Sequence, residues 1–201
     1  MTFMNALATQ RWDDHRYYHH NRINQSLHLV SALSFIASYA LIFTSPVAAV
    51  LTGWLVAMPA RQVGHFFFEP KGYDEANGAT HEYKEEIKVG YNLHRKVVLL
   101  SIWALSPLLL LLTPTLFGLL PAGVTWSGFA NNVSVMWLGV GAGALVFRTL
   151  QLFVQQSVQT GIVWLVKILT DPFHDVMLYH RSPIYVWRGE LFDPIVTESV
   201  R

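Results

Sequence analysis

The hydrophobic and polar positions of this chain divide into long apolar runs separated by short polar connections. Four runs, at 27–45, 47–66, 97–120 and 133–155, are long enough to cross about 30 Å of hydrocarbon, which takes about 20 helical residues. Only Ser45 and Pro46 separate the first two, so residues 27–66 are expected to fold as a tight antiparallel helical hairpin. The first run follows a polar segment, 1–26, that holds Trp12, Asp13, Asp14 and Arg16. That order suits a membrane anchor better than a cleavable signal peptide. The pattern predicts an all-α fold: a polytopic membrane bundle of about four transmembrane helices, a single domain over 1–201. Its parts are the 1–26 segment, the 27–66 hairpin, a 69–96 loop, helices three and four within 97–169, and a 170–201 tail.

Polar residues interrupt the last run. A single helix from Val133 to Leu169 would be about 55 Å long at 1.5 Å per residue, too long for one bilayer crossing. Gln151, Gln155, Gln156 and Gln159, with Arg148 and Lys167, mark the part expected to leave the hydrocarbon and continue as a cytoplasmic or interfacial helix. Gly139, Gly141 and Gly143 follow no strand, so they read as small residues for close helix packing, not as a nucleotide loop. Asn132-Val133-Ser134 matches a glycosylation sequon but reads as the cap of helix four.

Composition supports a membrane setting. Of the 201 residues 52% are hydrophobic and 13% charged, against roughly 25% charged in a water-soluble domain. A formal net charge of +1 gives no footprint for nucleic acid. The basic residues Arg11, Arg16, Arg22, Lys71, Lys84, Lys88, Arg95, Lys96, Arg181, Arg188 and Arg201 flank the runs on one side, whereas 45–46 and 121–132 hold none. Lys and Arg favour the cytoplasmic side of short loops. Both termini are therefore expected in the cytoplasm, in a bacterial inner membrane or an endoplasmic reticulum.

With no cysteine, any metal must be held by nitrogen and oxygen donors, and nine histidines stand out. All fall on the expected cytoplasmic side. His28 lies 18 residues before Pro46 and His65 lies 19 after it. Helical rise then sets both imidazoles about 27 to 29 Å from the turn, level with each other. Glu69 follows His65 at helical spacing, as His19 follows His15 and Glu85 follows His81. Along one continuous helix His20 and His28 would stand about 12 Å apart. Either the chain bends near Asn21 to return His19 or His20 to the His28 and His65 pair, or there are two metal sites. His19, His20, His28 and His65 are the favoured ligands, with His81 and His174 as further candidates. His15, His94 and His180 read as interfacial anchors.

The string Tyr18-His19-His20-Asn21, then Asn24 and His28, followed by Gly64-His65 and Glu69, resembles the fungal 2-hydroxy fatty acid dioxygenase family. The pattern HHNxxNxxxH with GHxxxE covers roughly residues 14–75 and is absent from the rest of the chain. The resemblance implies a small multi-span membrane enzyme of fatty acid α-oxidation. It implies iron(II), with His19, His20, His28 and His65 as the motif histidines. The substrates would be a 2-hydroxy fatty acid such as 2-hydroxypalmitate and O2, and the product acid would be one carbon shorter. After Glu69 the stretch Pro70-Lys71-Gly72-Tyr73 departs from the family's more basic pattern, and the long final helix and tail look additional.

Iron(II) for oxygen activation is commonly held by histidine and carboxylate, with positions left open for O2 and substrate. Arg61, one turn before His65, is a candidate partner for the substrate carboxylate, with an arginine snorkelling to the cytoplasmic surface as the favoured alternative. Glu69 is the candidate carboxylate beside the metal. Rival readings are a di-iron lipid hydroxylase or desaturase, a haem b carrier with His28 and His65 as axial ligands, and a non-catalytic membrane interaction protein.

Overall fold

The computed structural model describes residues 1–75, 77–87 and 93–194. Among them the chain is helical, without strands, apart from two isolated antiparallel bridges, Asn21 with Phe192 and Asp74 with Ala79. The all-α expectation holds. In chain order the helices are α1 (Phe3–Tyr18), α2 (Arg22–Leu41), α3 (Pro46–Thr52), α4 (Met58–Val63), α5 (His81–Ile87), α6 (Leu93–Leu112), α7 (Trp126–Gln155), α8 (Val158–Tyr179) and α9 (Ser182–Trp187). π-Helical turns at Gly53–Ala57 and Gly64–Phe68 join and extend α3 and α4, so the chain stays helical throughout the second arm of the hairpin.

Local chemistry fixes the hairpin. Asn21 starts α2, its Oδ1 accepting from the backbone N–H of Ile23 at 2.8 Å and of Asn24 at 3.3 Å. The reversal occupies the residues between Leu41 and Pro46, somewhat more than the two-residue link expected. Ser45 caps α3 by accepting from the Ala48 N–H, and Pro46 sits where a missing backbone donor costs nothing. At the other end Pro70 biases the residue before it toward extended backbone. Glu69 is accordingly extended, at φ −76 and ψ 130, and the helix stops there.

The other runs differ from expectation in extent. Helix α6 ends at Leu112, not near 120, because Thr113 precedes Pro114 and leaves the helical region. Helix α7 begins at Trp126, its Thr125 side chain accepting from the Gly128 N–H at 3.1 Å, and ends at Gln155. The chain does not run on as one helix to Leu169. It turns at Gln156 and Ser157, and Ser157 Oγ caps α8 by accepting from the Thr160 N–H at 3.0 Å. Gly161 makes this turn tight: a Cβ there would stand 2.4 Å from Phe153 Cδ1 and 2.8 Å from the Thr149 carbonyl oxygen.

An apolar core joins α3, α6 and α7 through Val50, Leu110, Val133 and Trp137, with Trp54 and Trp103 stacked beside it at 5.3 Å between ring centroids. Helix α8 packs along α2 and borders the site. Contacts run from Tyr39, whose hydroxyl donates to the Leu169 carbonyl at 3.2 Å, to His28 beside Asp175. The polarity of α8 is reversed relative to a helix on a water-soluble surface. Lys167, Asp171, Asp175 and Tyr179 are buried, while Leu169, Phe173 and Met177 face outward.

Among the described residues one helix, α7, is long and apolar enough to cross a membrane, and Lys96–Leu112 is a shorter apolar helix. Helix α2 buries Asn24, Gln25, His28, Ser31 and Ser38, which lowers its overall hydropathy.

Candidate metal centre

The site forms where α1 passes into α2. His19 and His20 occupy the two-residue bend ahead of the Asn21 cap, and the bend returns His19 onto His28, one of the two arrangements left open by the sequence. Asn24 Nδ2 donates to the Tyr18 carbonyl at 2.9 Å, and Gln25 Nε2 donates to the His19 carbonyl at 2.8 Å. The first turn of α2 thereby holds the bend from below. Residues near the C-terminus hold it from above: the Asp193 N–H donates to the His20 carbonyl at 2.9 Å, and the Arg22 N–H donates to the Leu191 carbonyl at 2.9 Å. The Asp193 carboxylate also accepts from Gln25 Nε2 at 3.0 Å and lies 3.4 Å from Arg22 Nη2.

The second arm of the hairpin brings His65, on the π-helical turn that follows α4. Such turns recur at functional sites because the extra residue re-aims a side chain. His19, His28 and His65 are all buried, and one nitrogen from each lies within 4.8 Å of the others. Ring centroids are 4.0 Å apart for His19 and His28, 4.9 Å for His28 and His65, and 5.4 Å for His19 and His65. The predicted level pair is therefore met, with His19 as a third member.

Buried polar atoms normally find hydrogen-bond partners. Here His19 Nε2 and both nitrogens of His28 have none. Burial, reinforced by neighbouring His28, holds the His19 imidazole well below its ordinary pKa, so this ring is neutral at neutral pH with a lone pair to offer. His65 Nδ1 is bonded to Glu69 Oε2 at 2.6 Å, leaving Nε2 as its free nitrogen. Orphaned, converging, neutral nitrogens fit a divalent cation, and a carboxylate behind a ligating imidazole is the usual supporting contact.

The remaining predicted residues lie elsewhere. His20 turns outward, its Nε2 3.6 Å from Asp74 Oδ2 and 3.4 Å from Asn77 Nδ2. His81 opens α5, the helix over the charged loop, and is not part of the triad. His174 is half-buried on α8 and lines a polar crevice that also contains His19, Arg61, Asp14, Lys167 and Asp175. Arg61 faces this crevice, with Nη1 3.3 Å from Asp175 Oδ2. It is engaged inside the protein, not extended to the surface. The His94 side chain lies outside the described residues.

The sequence reading missed the contribution of α8. Lys167, buried, is paired with Asp14 and with Asp171 at 2.6 Å, and Arg11 Nε reaches Asp171 Oδ1 at 3.3 Å. Tyr179 Oη lies 3.0 Å from His19 Nδ1 and 3.3 Å from His15 Nδ1. The signal was present as a four-residue repeat, Lys167, Asp171, Asp175 and Tyr179, which puts these side chains on one helical face.

The geometry also bears on the rivals. The three imidazoles touch directly, with His28 and His65 nearly perpendicular at 84°, which leaves no slot for a macrocycle between them. Among the described residues the candidate ligand group has three members, fewer than the ligand set of a di-iron centre.

No protein-family model, curated protein or solved structure matches the chain. Its fold and site are read from its own residues.

Proposed function

We propose that this chain is a membrane enzyme in which His19, His28 and His65 hold an iron(II) ion, and that it shortens 2-hydroxy fatty acids by one carbon with O2. The observation that carries this reading is the buried convergence of three imidazoles, with His19 Nε2 and both nitrogens of His28 lacking a hydrogen-bond partner. The resemblance of the two motif blocks to the 2-hydroxy fatty acid dioxygenases names the metal and the substrate. When bound, iron(II) would supply oxygen activation, with the three histidines leaving positions open on one side.

The protein's own groups have separate tasks. Glu69 fixes the His65 ring through Nδ1 and raises its basicity. Arg61 borders the crevice beside His19, where it can orient a carboxylate head group. Its partner Asp175 balances that charge while the crevice is free of substrate. Four spans, formed by α2, by α3 with α4, by α6 and by α7, with the site at their cytoplasmic end, are the proposed setting. The outward apolar side chains of α7 and α8 support that setting.

The test is purified protein with iron(II), O2 and 2-hydroxypalmitate, analysed for pentadecanoate. Formation of the shortened acid, lost on replacement of His28 or His65 by alanine, is the expected result. Iron-loaded protein that leaves 2-hydroxypalmitate intact overturns the assigned reaction. Protein that binds no divalent metal overturns the site as well.

A further inference from the structure

Each imidazole of the triad has a different oxygen beside its Nδ1. Tyr179 Oη lies 3.0 Å from that of His19, Glu69 Oε2 lies 2.6 Å from that of His65, and Asp175 Oδ2 lies 3.7 Å from that of His28. In each of the three rings an oxygen thus lies beside Nδ1, and Nε2 of His19 and of His28 has no hydrogen-bond partner. Two of the three oxygens come from α8, the helix that no motif block covers.

The geometry points to Asp175 and Tyr179 as positioning residues of the metal centre, each fixing one imidazole in the tautomer that presents Nε2 to the cation. This rests on the metal-site reading above and adds to it a third structural element, α8.

Tyr179 has one hydroxyl proton and stands between two Nδ1 atoms, of His19 and His15. Only two polarities are consistent. If Tyr179 donates to His19, the proton of a neutral His19 must sit on Nε2, pointing into the triad where it has no acceptor. If His19 Nδ1–H donates to Tyr179 and Tyr179 donates to His15, both the His19 proton and the Tyr179 proton have an acceptor and His19 Nε2 keeps its lone pair. The second arrangement avoids an orphaned buried donor, and it is the metal-ready one.

Asp175 has two claimants. The same Oδ2 is 3.3 Å from Arg61 Nη1 and 3.7 Å from His28 Nδ1, the latter beyond hydrogen-bond distance. A cation on Nε2 draws electrons from the ring and makes Nδ1–H a stronger donor. Loading of the triad therefore closes the Asp175 to His28 gap, and His28 joins its two neighbours in having an outer oxygen.

The probe is Co(II), added to the purified full chain. Its affinity is measured by competition with a chelator, and exchangeable imidazole N–H protons are read as shifted signals in proton NMR. Wild type is expected to show three such signals. Tyr179→Phe and Asp175→Asn should each weaken Co(II) binding by about 10–100-fold, the range for lost outer contacts, and each should abolish or move one N–H signal. A contact that serves packing alone would leave both readouts in place. Should Asp175→Asn not accumulate because Arg61 is left uncompensated, the Arg61→Gln/Asp175→Asn pair removes both charges and carries the same test. Wild-type protein that takes up no Co(II) overturns the metal reading itself. Uptake with unchanged affinity and unchanged N–H signals in the variants overturns the role of α8 alone.

Discussion

The Cβ that Gly64 lacks would stand 2.1 Å from Oδ1 of Asn24. This contact explains why a glycine immediately precedes His65. The two arms of the hairpin approach closely enough at this level for the His28 and His65 rings to meet, and Asn24 occupies the space a side chain would need. Asn24 in turn donates to the Tyr18 carbonyl, so the bend carrying His19 is tied to the same point.

Gly64→Ala is accordingly expected to push Asn24 aside and break that bond, destabilising the protein by about 1–3 kcal/mol, as for other lost buried hydrogen bonds. Chemical denaturation of the metal-free protein measures it. Asn24→Ala should cost a similar amount, and the double variant should cost less than the sum because the clash disappears with the amide. Strict additivity would contradict the contact.

Single alanine replacements separate the triad from the other histidines. His19→Ala, His28→Ala and His65→Ala should each reduce bound divalent metal to a small fraction of the wild-type stoichiometry. His81→Ala should leave it unchanged, and so should His20→Ala if the Asp193 contact to the His20 backbone survives. Metal counted per chain decides this, and equal loss at His81 would remove the distinction between the sets.

Acid should weaken the fold through its buried and half-buried histidines, among them two outside the triad. Burial lowers the pKa of His15, partly offset by Asp193, and burial together with Arg11 lowers that of His174. A folded-state pKa below the unfolded value means that the unfolded chain takes up more protons in the window beneath about 6.5, so stability rises with pH across that window. Denaturation midpoints are expected to be flat above pH 7 and to fall as pH drops from 6.5 toward 5. His15→Gln and His174→Gln should each flatten the slope, whereas a slope unchanged in both would assign it to other groups.

The segment ending at Asp193 clamps the bend that carries His19. Asp193→Ala removes contacts to Gln25 and Arg22 and is expected to cost about 1.5–3 kcal/mol, the range for hydrogen bonds to a charged group. Divalent-metal affinity should fall with it, because His19 loses a constraint while His28 and His65 keep theirs. Titration of metal into the purified variant checks this. Undiminished affinity would show that Asn24 and Gln25 suffice to hold the bend.

What could be read in the sequence was whatever helical rise and local chemistry control. His28 and His65 come level because helices on either side of Pro46 have a fixed rise, and Glu69 reaches His65 because four residues make about one turn. The bend at His19 and His20 was legible as a possibility, since Asn21 is a good capping residue, but which ring turned inward depended on Asp74 and Asn77 holding His20 from outside. The last run was misread in extent because its apolar residues do not stop at Gln156. Only the Ser157 cap and the close packing of Gly161 on Phe153 reverse the chain there. Asp175 and Tyr179 were missed because their partners are more than a hundred positions away along the chain, where no periodicity points to a contact.

That separation orders the events of biosynthesis. The ribosome delivers His19, His28 and His65 early and the residues that steady them, Asp175, Tyr179 and Asp193, much later. A nascent chain can bring three imidazoles together yet cannot lock them, and contacts so distant along the polymer form slowly. If the triad holds the proposed ion, that ion would be fully seated only once translation has passed Asp175, Tyr179 and Asp193.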